Sequence, residues 1–200
     1  MWRKLAGKVR RRIGSFGLNS IQRIRVHFYE LCSTAPFEGC RPQRTQPVLR
    51  LGLGSITFEP NVRLGYFPSP FFLTTHCYLE VRGATARIVI GEGCTINNGF
   101  TAVAEGTQIR IGKRCLIGPK VSIFDSDFHG LAVSQRKDPA AIRQAAVTIG
   151  DDVFIGQGVT ILKGVTIGEG AVIAAGSLVA NNVPAGVIAG GNPARTLRSL

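Results

Sequence analysis

IGDDVFIGQGVTILKGVTIGEGAVIAAGSLVANNVP, residues 149–184, divides into six-residue units (hexads) that each begin with Ile or Val. Glycine recurs at the second and fourth places, and the fifth place is always small or β-branched: Val153, Val159, Val165, Ala171, Ser177 and Val183. A period of six matches neither the helical repeat nor the simple alternation of a strand. It is typical of short strands that coil into a triangular β-solenoid, with glycines at the corners.

The same period occurs earlier, in the hexads IGEGCT, INNGFT, IGKRCL, IGPKVS and IFDSDF, which begin at residues 90, 96, 111, 117 and 123. Cys94 and Cys115 take the fifth place, so we interpret them as packing residues rather than nucleophiles. Residues 47–83 hold weaker hexads and are expected to form atypical opening coils. Because stacked coils bury a continuous aliphatic column, the sequence predicts an all-β solenoid domain over residues 48–200.

The period breaks after Ile123. Counting on by six puts His129 at the next inward position, and regular hexads resume only at Ile149. We therefore predict that residues 130–146 leave the solenoid as an excursion loop, the arm, with His129 at its base. A single histidine is more often structural, but Asp125 and Asp127 are near enough in sequence to orient this ring for catalysis.

Metal binding is not expected. The histidines at positions 27, 76 and 129 do not fall on adjacent coils, as a three-histidine site requires, and His27 and His76 are interpreted as structural. The five cysteines are odd in number and contain no C-x-x-C pair, which argues against both a disulfide framework and a structural zinc site.

Positive charge is concentrated in the first 50 residues, which hold 11 Lys and Arg against Glu30 and Glu38, or +9 of the total +12. We predict a basic amphipathic helical extension over residues 1–47. Its apolar stripes are formed by Trp2, Leu5, Val9, Ile13 and Phe16, and, after the helix cap Ser20, by Ile21, Ile24, Phe28 and Leu31. Residues 1–31 could contact an anionic membrane, pack on a neighbouring subunit or form a transit peptide.

Several classes of protein are excluded. The sequence contains no apolar run long enough to span a membrane and no secretory signal. No motif of a known nucleic-acid-binding module accompanies the basic charge, so no nucleic-acid partner is expected. We expect a cytoplasmic protein, with peripheral contact at the inner face of the cell membrane if the extension binds lipid.

Five features occur in order: INNGFTA, IGKRCLIGPKVSI, a histidine just before an excursion, VTIGDDVFIGQGVTILKGVTIGEGAVIAAGSLV, and the closing VPAGVIAGGNPAR. With these features, residues 90–197 resemble the hexapeptide-repeat acyltransferases, which include maltose, galactoside, serine and bacterial polysaccharide O-acetyltransferases. The resemblance implies a left-handed parallel β-helix, although the usual crossover rule would favour right-handed turns.

The resemblance also implies a function. The expected activity is transfer of an acetyl group from acetyl-CoA to a sugar hydroxyl, in bacterial surface polysaccharide or lipopolysaccharide synthesis, by a homotrimer with His129 as general base. Active sites between adjacent solenoids are expected, with the arm reaching a neighbour. Two alternatives remain open from the sequence: an amino-sugar N-acetyltransferase and a non-catalytic solenoid scaffold.

Site residues follow from the same resemblance. Asn97 would contact the acceptor, although a corner asparagine with left-handed backbone is an equal alternative. Phe154, where relatives often have Trp, and Arg136 in the arm are assigned to the acceptor as well. The residues expected to bind CoA are Gly156, Lys163, Ala175, Gly176, Ser177 and Arg195. Relatives often read Thr-Lys-Asp before the final proline, where this chain has Ala180, Asn181 and Asn182, so one cation that commonly helps to hold CoA is missing.

Overall fold

The computed structural model describes residues 17, 18 and 20–200. The first predicted apolar stripe, from Trp2 to Phe16, lies outside the described residues. A helix, α1, occupies residues 20–31, and residues 17 and 18 are also helical. The short helical extension is therefore present, and the rest of the described chain is almost entirely β-structure.

Within the described residues, twenty strands, numbered in chain order, form three sheets that make the three faces of a prism. Face A contains β1 (Phe37–Gly39), β4 (Ser55–Phe58), β7 (Arg87–Ile90), β10 (Gln108–Ile111), β13 (Val147–Ile149) and β16 (Thr166–Ile167). Face B contains β2 (Gln43–Arg44), β5 (Arg63–Leu64), β8 (Thr95–Ile96), β11 (Leu116–Ile117), β14 (Phe154–Ile155), β17 (Val172–Ile173), β19 (Val187–Gly191) and β20 (Ala194–Ser199). Face C contains β3 (Val48–Gly52), β6 (Cys77–Val81), β9 (Thr101–Ala104), β12 (Ser122–Phe124), β15 (Thr160–Ile161) and β18 (Leu178–Val179).

The pairing is parallel except between β19 and β20, which close the solenoid as an antiparallel pair. Each full coil visits face A, then B, then C, so the chain passes a B/C corner and a C/A corner in every turn. The predicted left-handed parallel β-helix with a short helical extension is confirmed.

The core is the predicted aliphatic column. On face A, Ile90, Ile111, Ile149 and Ile167 lie in direct register, and each is at most 1% exposed. Burial of a side chain of this size stabilises the fold by about 1.5–3 kcal/mol, so one such ladder outweighs most single surface interactions. Cys94 and Cys115 are fully buried beside the column, as their interpretation as packing residues requires.

The solenoid begins earlier than the sequence predicted. β1 pairs with β4 and β2 with β5, so residues 37–47 already belong to the first coil and not to the helical extension. These residues, FEGCRPQRTQP, contain no recognisable hexad because the first coil has only one neighbour and its inward positions are less strictly apolar.

The arm leaves through a narrow neck. Residues 125–127 run beside residues 143–145, with a bridge between Ser126 and Gln144 and hydrogen bonds from Asp127 N to Arg143 O (3.1 Å) and Ala145 N to Asp125 O (2.9 Å). Beyond the neck, the arm contains two 3₁₀ turns, Val133–Gln135 and Pro139–Ala141.

Candidate active site

His129 lies at the base of the arm but does not point into the core. Its side chain is exposed, so the prediction of an inward position was wrong. The last inward residue is Ile123, after which the chain enters the neck and turns outward at Phe128, whose φ is +61°. The ring makes no hydrogen bond with any described residue and is accessible to a reactant from solvent. Exposure removes the burial cost that an inward imidazole would carry.

Asp125 is the buried polar residue at this point, and it is structural. Its Oδ1 accepts a hydrogen bond from Glu105 N (2.7 Å), and its Oδ2 accepts hydrogen bonds from Thr107 N (2.9 Å) and Thr107 Oγ1 (2.7 Å). These bonds hold the turn that precedes β10, and none joins Asp125 to His129. The expected orienting role of Asp125 is therefore not supported, because its carboxylate is fully occupied by the preceding coil.

Asp127 remains as the carboxylate nearest in sequence to His129 that has accepting capacity. Its Oδ1 accepts a hydrogen bond from Lys163 Nζ at 2.7 Å, and its Oδ2 is buried yet has no hydrogen-bond partner among the described residues. Burying a carboxylate oxygen without a hydrogen-bond donor costs free energy, so Asp127 Oδ2 is available to accept a hydrogen bond from a further group. Lys163, which was expected to bind CoA, is thus already paired with Asp127.

The residues expected to form one site lie at two different corners. Asn97, Gly156, Ala175 and Gly176 follow strands of face B and lie at the B/C corner. His129, Asp127 and Lys163 follow strands of face C and lie at the C/A corner, where the arm with Arg136 also departs. A strand of face C separates the two corners in each coil. Within one chain, His129 and Asn97 are therefore not adjacent.

Asn97 is not the left-handed corner residue that was its alternative. The positive φ of this hexad belongs to Gly99 (+76°). Asn97 Oδ1 accepts hydrogen bonds from Ser69 Oγ (2.9 Å) and Asn98 N (2.7 Å), while its Nδ2 has no described partner. The amide group of Asn97 is therefore fixed in place and retains donor capacity toward a ligand.

Asn98 was missed by the sequence reasoning. It is fully buried, donates from Nδ2 to Tyr66 O (3.0 Å) and Pro70 O (2.9 Å), and accepts from Tyr66 N (3.2 Å). It shapes the loop that supports Asn97. A signal for it exists in the sequence, since Asn98, Asp125 and Asp151 all take the third place of a hexad and all accept a backbone N–H from the preceding coil.

An open groove of about 470 Å³ borders the B/C corner at Gly99 and Lys120, and Asn97 is not part of its lining. Its lining includes His76, Tyr78, Gly99 and Lys120. Burial lowers the pKa of His76, and the nearby Arg25 lowers it further, so the imidazole is held neutral more firmly than in water. Its ring packs on Tyr29 at 4.8 Å between centroids, consistent with the structural interpretation of His76.

The late-coil residues assigned to CoA divide into accessible and inaccessible groups. Ala175 and Gly176 are exposed at the B/C corner, and Gly176 has φ +72°. Gly156 is required by stacking, because a Cβ there would lie 2.5 Å from Ala175 N. Ser177 is 2% exposed and its Oγ donates to Ala174 O (2.6 Å), so its side chain faces inward and is not available to a cofactor.

Arg195 is exposed on β20, and its Nη1 donates to Ala194 O (3.0 Å). It borders a groove of about 350 Å³ that also includes Asn181 and Asn182. Asn181 stands where relatives often have a lysine, and Asn182 Oδ1 accepts a hydrogen bond from Thr166 N (2.8 Å). Arg195 is consequently the only charged side chain that lines this groove among the described residues.

The two remaining acceptor candidates are both exposed. Phe154 is 48% exposed on face B and lies in register with Leu116, which is 54% exposed. Together they present an apolar strip to solvent. Arg136 lies in the arm, and its Nη2 donates to Leu131 O (3.3 Å). The structure brings neither residue into contact with His129.

Two further features bear on the class of protein. No cluster of three or more His, Cys, Asp or Glu side chains suited to a metal ion occurs among residues 17, 18 and 20–200. In the same part of the chain, no helix has the length and apolar character needed to cross a bilayer.

Comparisons with known proteins agree with this architecture. The family model "Bacterial transferase hexapeptide (six repeats)" matches residues 146–181. A hexapeptide-repeat acetyltransferase from Vibrio cholerae is 28% identical with a TM-score of 0.56, and the match covers 99% of this chain and 90% of that one. Galactoside acetyltransferase in complex with coenzyme A is 25% identical with a TM-score of 0.55, covering 92% and 82%.

The polysialic-acid-specific acetyltransferase NeuO shares the fold, with a TM-score of 0.57 at 24% identity over 82% of this chain and 69% of that one. The chain therefore has the left-handed β-helix fold of the hexapeptide-repeat acetyltransferases, and the resemblance inferred from its sequence is confirmed. The Vibrio cholerae enzyme has also been solved in complex with acetyl-CoA.

Proposed function

We propose that this protein is an acetyl-CoA-dependent O-acetyltransferase that acylates a sugar hydroxyl in bacterial surface polysaccharide or lipopolysaccharide synthesis. The observation that carries the proposal is the exposed His129 at the base of the arm, two residues from a buried carboxylate oxygen of Asp127 that lacks a donor. The similarity to acetyltransferases solved with acetyl-CoA or CoA supports the choice of co-substrate.

In the proposed reaction, His129 takes the proton of the acceptor hydroxyl as the oxygen attacks the thioester carbonyl. The tetrahedral intermediate collapses with cleavage of the C–S bond, and the imidazolium returns the proton to the departing thiolate. Acetyl ester and free CoA are the products, so protons and electrons balance without a covalent enzyme intermediate. An imidazole suits both steps because its ring nitrogens can accept a proton and then donate it.

Asp127 is the proposed positioning residue for His129. Lys163 fixes one carboxylate oxygen, which leaves Oδ2 to accept a hydrogen bond from the imidazole N–H and to stabilise the imidazolium. In this assignment Lys163 acts through Asp127 instead of on the CoA phosphates, and Arg195 is the candidate cation for those phosphates.

The proposed active unit is a homotrimer. Because His129 and Asn97 lie at different corners of one solenoid, a site that uses both needs the C/A corner of one copy against the B/C corner of the next. Acetyl-CoA would lie along the B/C corner, near Ala175 and Gly176, with its thioester facing the neighbour's His129. The exposed strip of Leu116 and Phe154 and the arm with Arg136 are available for the acceptor or for the subunit contact.

The N-terminal extension is proposed to hold the trimer at the inner face of the cell membrane. The predicted stripe of α1 is exposed, with Ile21 at 53%, Ile24 at 70%, Phe28 at 59% and Leu31 at 72%. Basic charge surrounds this stripe, which suits an anionic lipid surface. Three such helices on one trimer would reinforce each other's weak affinities.

Thiol release from acetyl-CoA, measured over a panel of sugars and amino sugars, tests the assignment. We expect turnover with at least one hydroxyl acceptor. Turnover with amines alone would indicate an N-acetyltransferase instead, and no thiol release with any acceptor would favour a non-catalytic scaffold.

A further inference from the structure

A basic cleft lies between α1 and the first coils of the solenoid. Its volume is about 600 Å³, within the range of small-ligand sites. Its lining includes Arg23, His27, Arg41, Arg44, Phe67 and Phe72. None of these residues belongs to the proposed acyl-transfer machinery, and the cleft shares no lining residue with the groove at Gly99 and Lys120.

The cleft carries positive charge that its own residues do not neutralise. Among the described residues, Glu30 is the only acidic one in the lining, and both of its carboxylate oxygens are taken, one by Arg44 and the other by Arg50 Nη2 at 2.8 Å. Burial acts to raise the pKa of Glu30, but the two arginines outweigh this effect and keep the pKa below its usual value. Arg23 and Arg41 have no carboxylate partner among the described residues.

The walls of the cleft are held rigidly. Gln22 is buried, and its Nε2 donates to Thr45 O (2.9 Å) and Phe72 O (3.1 Å). From the next turn of α1, Arg25 Nη2 donates to Thr75 O (2.8 Å). These bonds join the helix to two separate segments of the solenoid, so the cleft exists before any ligand arrives. A preformed site avoids the cost of ordering its walls on binding.

An apolar surface adjoins the unpaired cations. Phe72 is 8% exposed and forms part of the floor, while Phe67 is 51% exposed and packs beside it at 4.8 Å between ring centroids. Phe67 thus remains partly accessible to a ligand. The cleft therefore combines guanidinium groups, which match phosphate oxygens, with an aromatic surface.

We propose that the basic cleft binds a phosphate ester, with Arg23 and Arg41 on the phosphate and the apolar or aromatic group of the ester against Phe67 and Phe72. This site is independent of acyl transfer. The ligand could be a soluble ester or a lipid headgroup, which share this chemistry. Residues 66–72 contribute both aromatic rings to the cleft, and Ser69 of the same segment donates a hydrogen bond to Asn97. A ligand bound in the cleft would therefore lie on the same edge of the solenoid as Asn97.

Isothermal titration of the full chain tests the proposal with three probes: ADP, dihexanoyl phosphatidic acid below its micelle concentration, and inorganic pyrophosphate. We expect ADP or the short-chain lipid to bind more tightly than pyrophosphate, and preference between them identifies the source of the ester. The double variant Arg23→Gln with Arg41→Gln should lose about tenfold or more in affinity.

The matched control is Arg87→Gln with Arg110→Gln, which removes the same charge from exposed positions on face A and should leave affinity unchanged. His129→Ala should also bind normally, so failure of the catalytic proposal can be told apart from failure of this one. Absence of binding by every probe, or equal affinity in the Arg23/Arg41 variant and its control, would overturn the proposal.

Discussion

Lys163 Nζ lies 2.7 Å from Asp127 Oδ1, and this ion pair joins the neck of the arm to the next coil of the solenoid. Both side chains are partly buried, with relative exposures of 27% and 20%. The pair thus holds the chain two residues before His129. A lysine that the sequence assigned to CoA is, in the folded protein, part of the support for the proposed base.

Lys163→Met is therefore expected to impair the chemical step more than cofactor binding. Without its partner, Asp127 loses its fixed orientation, and we predict a fall in kcat of roughly tenfold. The KM for acetyl-CoA should change by less than about twofold. Steady-state kinetics measure both, with Lys113→Met as control, since that lysine forms an exposed pair with Glu92 at 3.6 Å. A higher KM with unchanged kcat would restore the CoA assignment.

Asp125→Ala should destabilise the fold. The substitution leaves Glu105 N, Thr107 N and Thr107 Oγ1 without their acceptor in a buried turn, at a cost of about 2–4 kcal/mol in the free energy of unfolding. Thermal unfolding at fixed protein concentration measures the loss. Asp138→Ala is the control, because Asp138 caps an exposed 3₁₀ turn of the arm through Ala140 N. Equal melting temperatures for both variants would refute the structural role.

The repeat made the fold predictable, because every hexad demands the same inward residue at the same place. Ile149, Ile155 and Ile161 could be placed in the core from spacing alone, and each is at most 1% exposed. His129 could not be placed in this way. Counting by six assumes that the strand continues, whereas the neck at residues 125–127 ends the coil and turns the chain outward.

The site was less predictable than the fold for two physical reasons. Which corner a residue occupies depends on the order in which the chain visits faces A, B and C. Asn97 comes after a strand of face B, whereas His129 comes after a strand of face C. A sequence period also does not reveal which partners a side chain has in the folded protein. Ser177 could therefore be taken for a residue that contacts CoA, although its side chain faces inward. The basic cleft depends on how α1 packs against the first coils, and no repeat encodes that contact.

The exposed stripe of α1 predicts a lipid-dependent location. Replacing Ile24 and Phe28 by Ser removes two apolar side chains, each of which contributes about 1.5–3 kcal/mol when buried. Flotation with phosphatidylcholine vesicles containing phosphatidylglycerol should then recover much less of the variant than of the wild-type chain. The control variant is Leu53→Ser with Leu197→Ser, which are 80% and 63% exposed outside α1. Unchanged flotation, or loss of trimer mass instead, would favour packing of α1 on a subunit.

The division of the site between two corners predicts complementation between inactive chains. Asn97→Ala and His129→Ala each damage one half of every shared site. Mixed trimers refolded from equal amounts of the two variants should recover roughly a quarter of the wild-type activity. In a cyclic trimer, about a quarter of the subunit contacts then join a subunit with an intact His129 to a neighbour with an intact Asn97. Activity is measured before and after co-refolding. A mixture no more active than its components would place both halves of the site within one chain.

The most direct measurement is turnover of acetyl-CoA by His129→Ala, once an acceptor has been found with the wild-type chain. Because His129 is exposed and makes no described hydrogen bond, its removal should leave the melting temperature unchanged. Thiol release should fall by about 10² to 10⁴. Wild-type turnover in a folded His129→Ala protein would contradict the account.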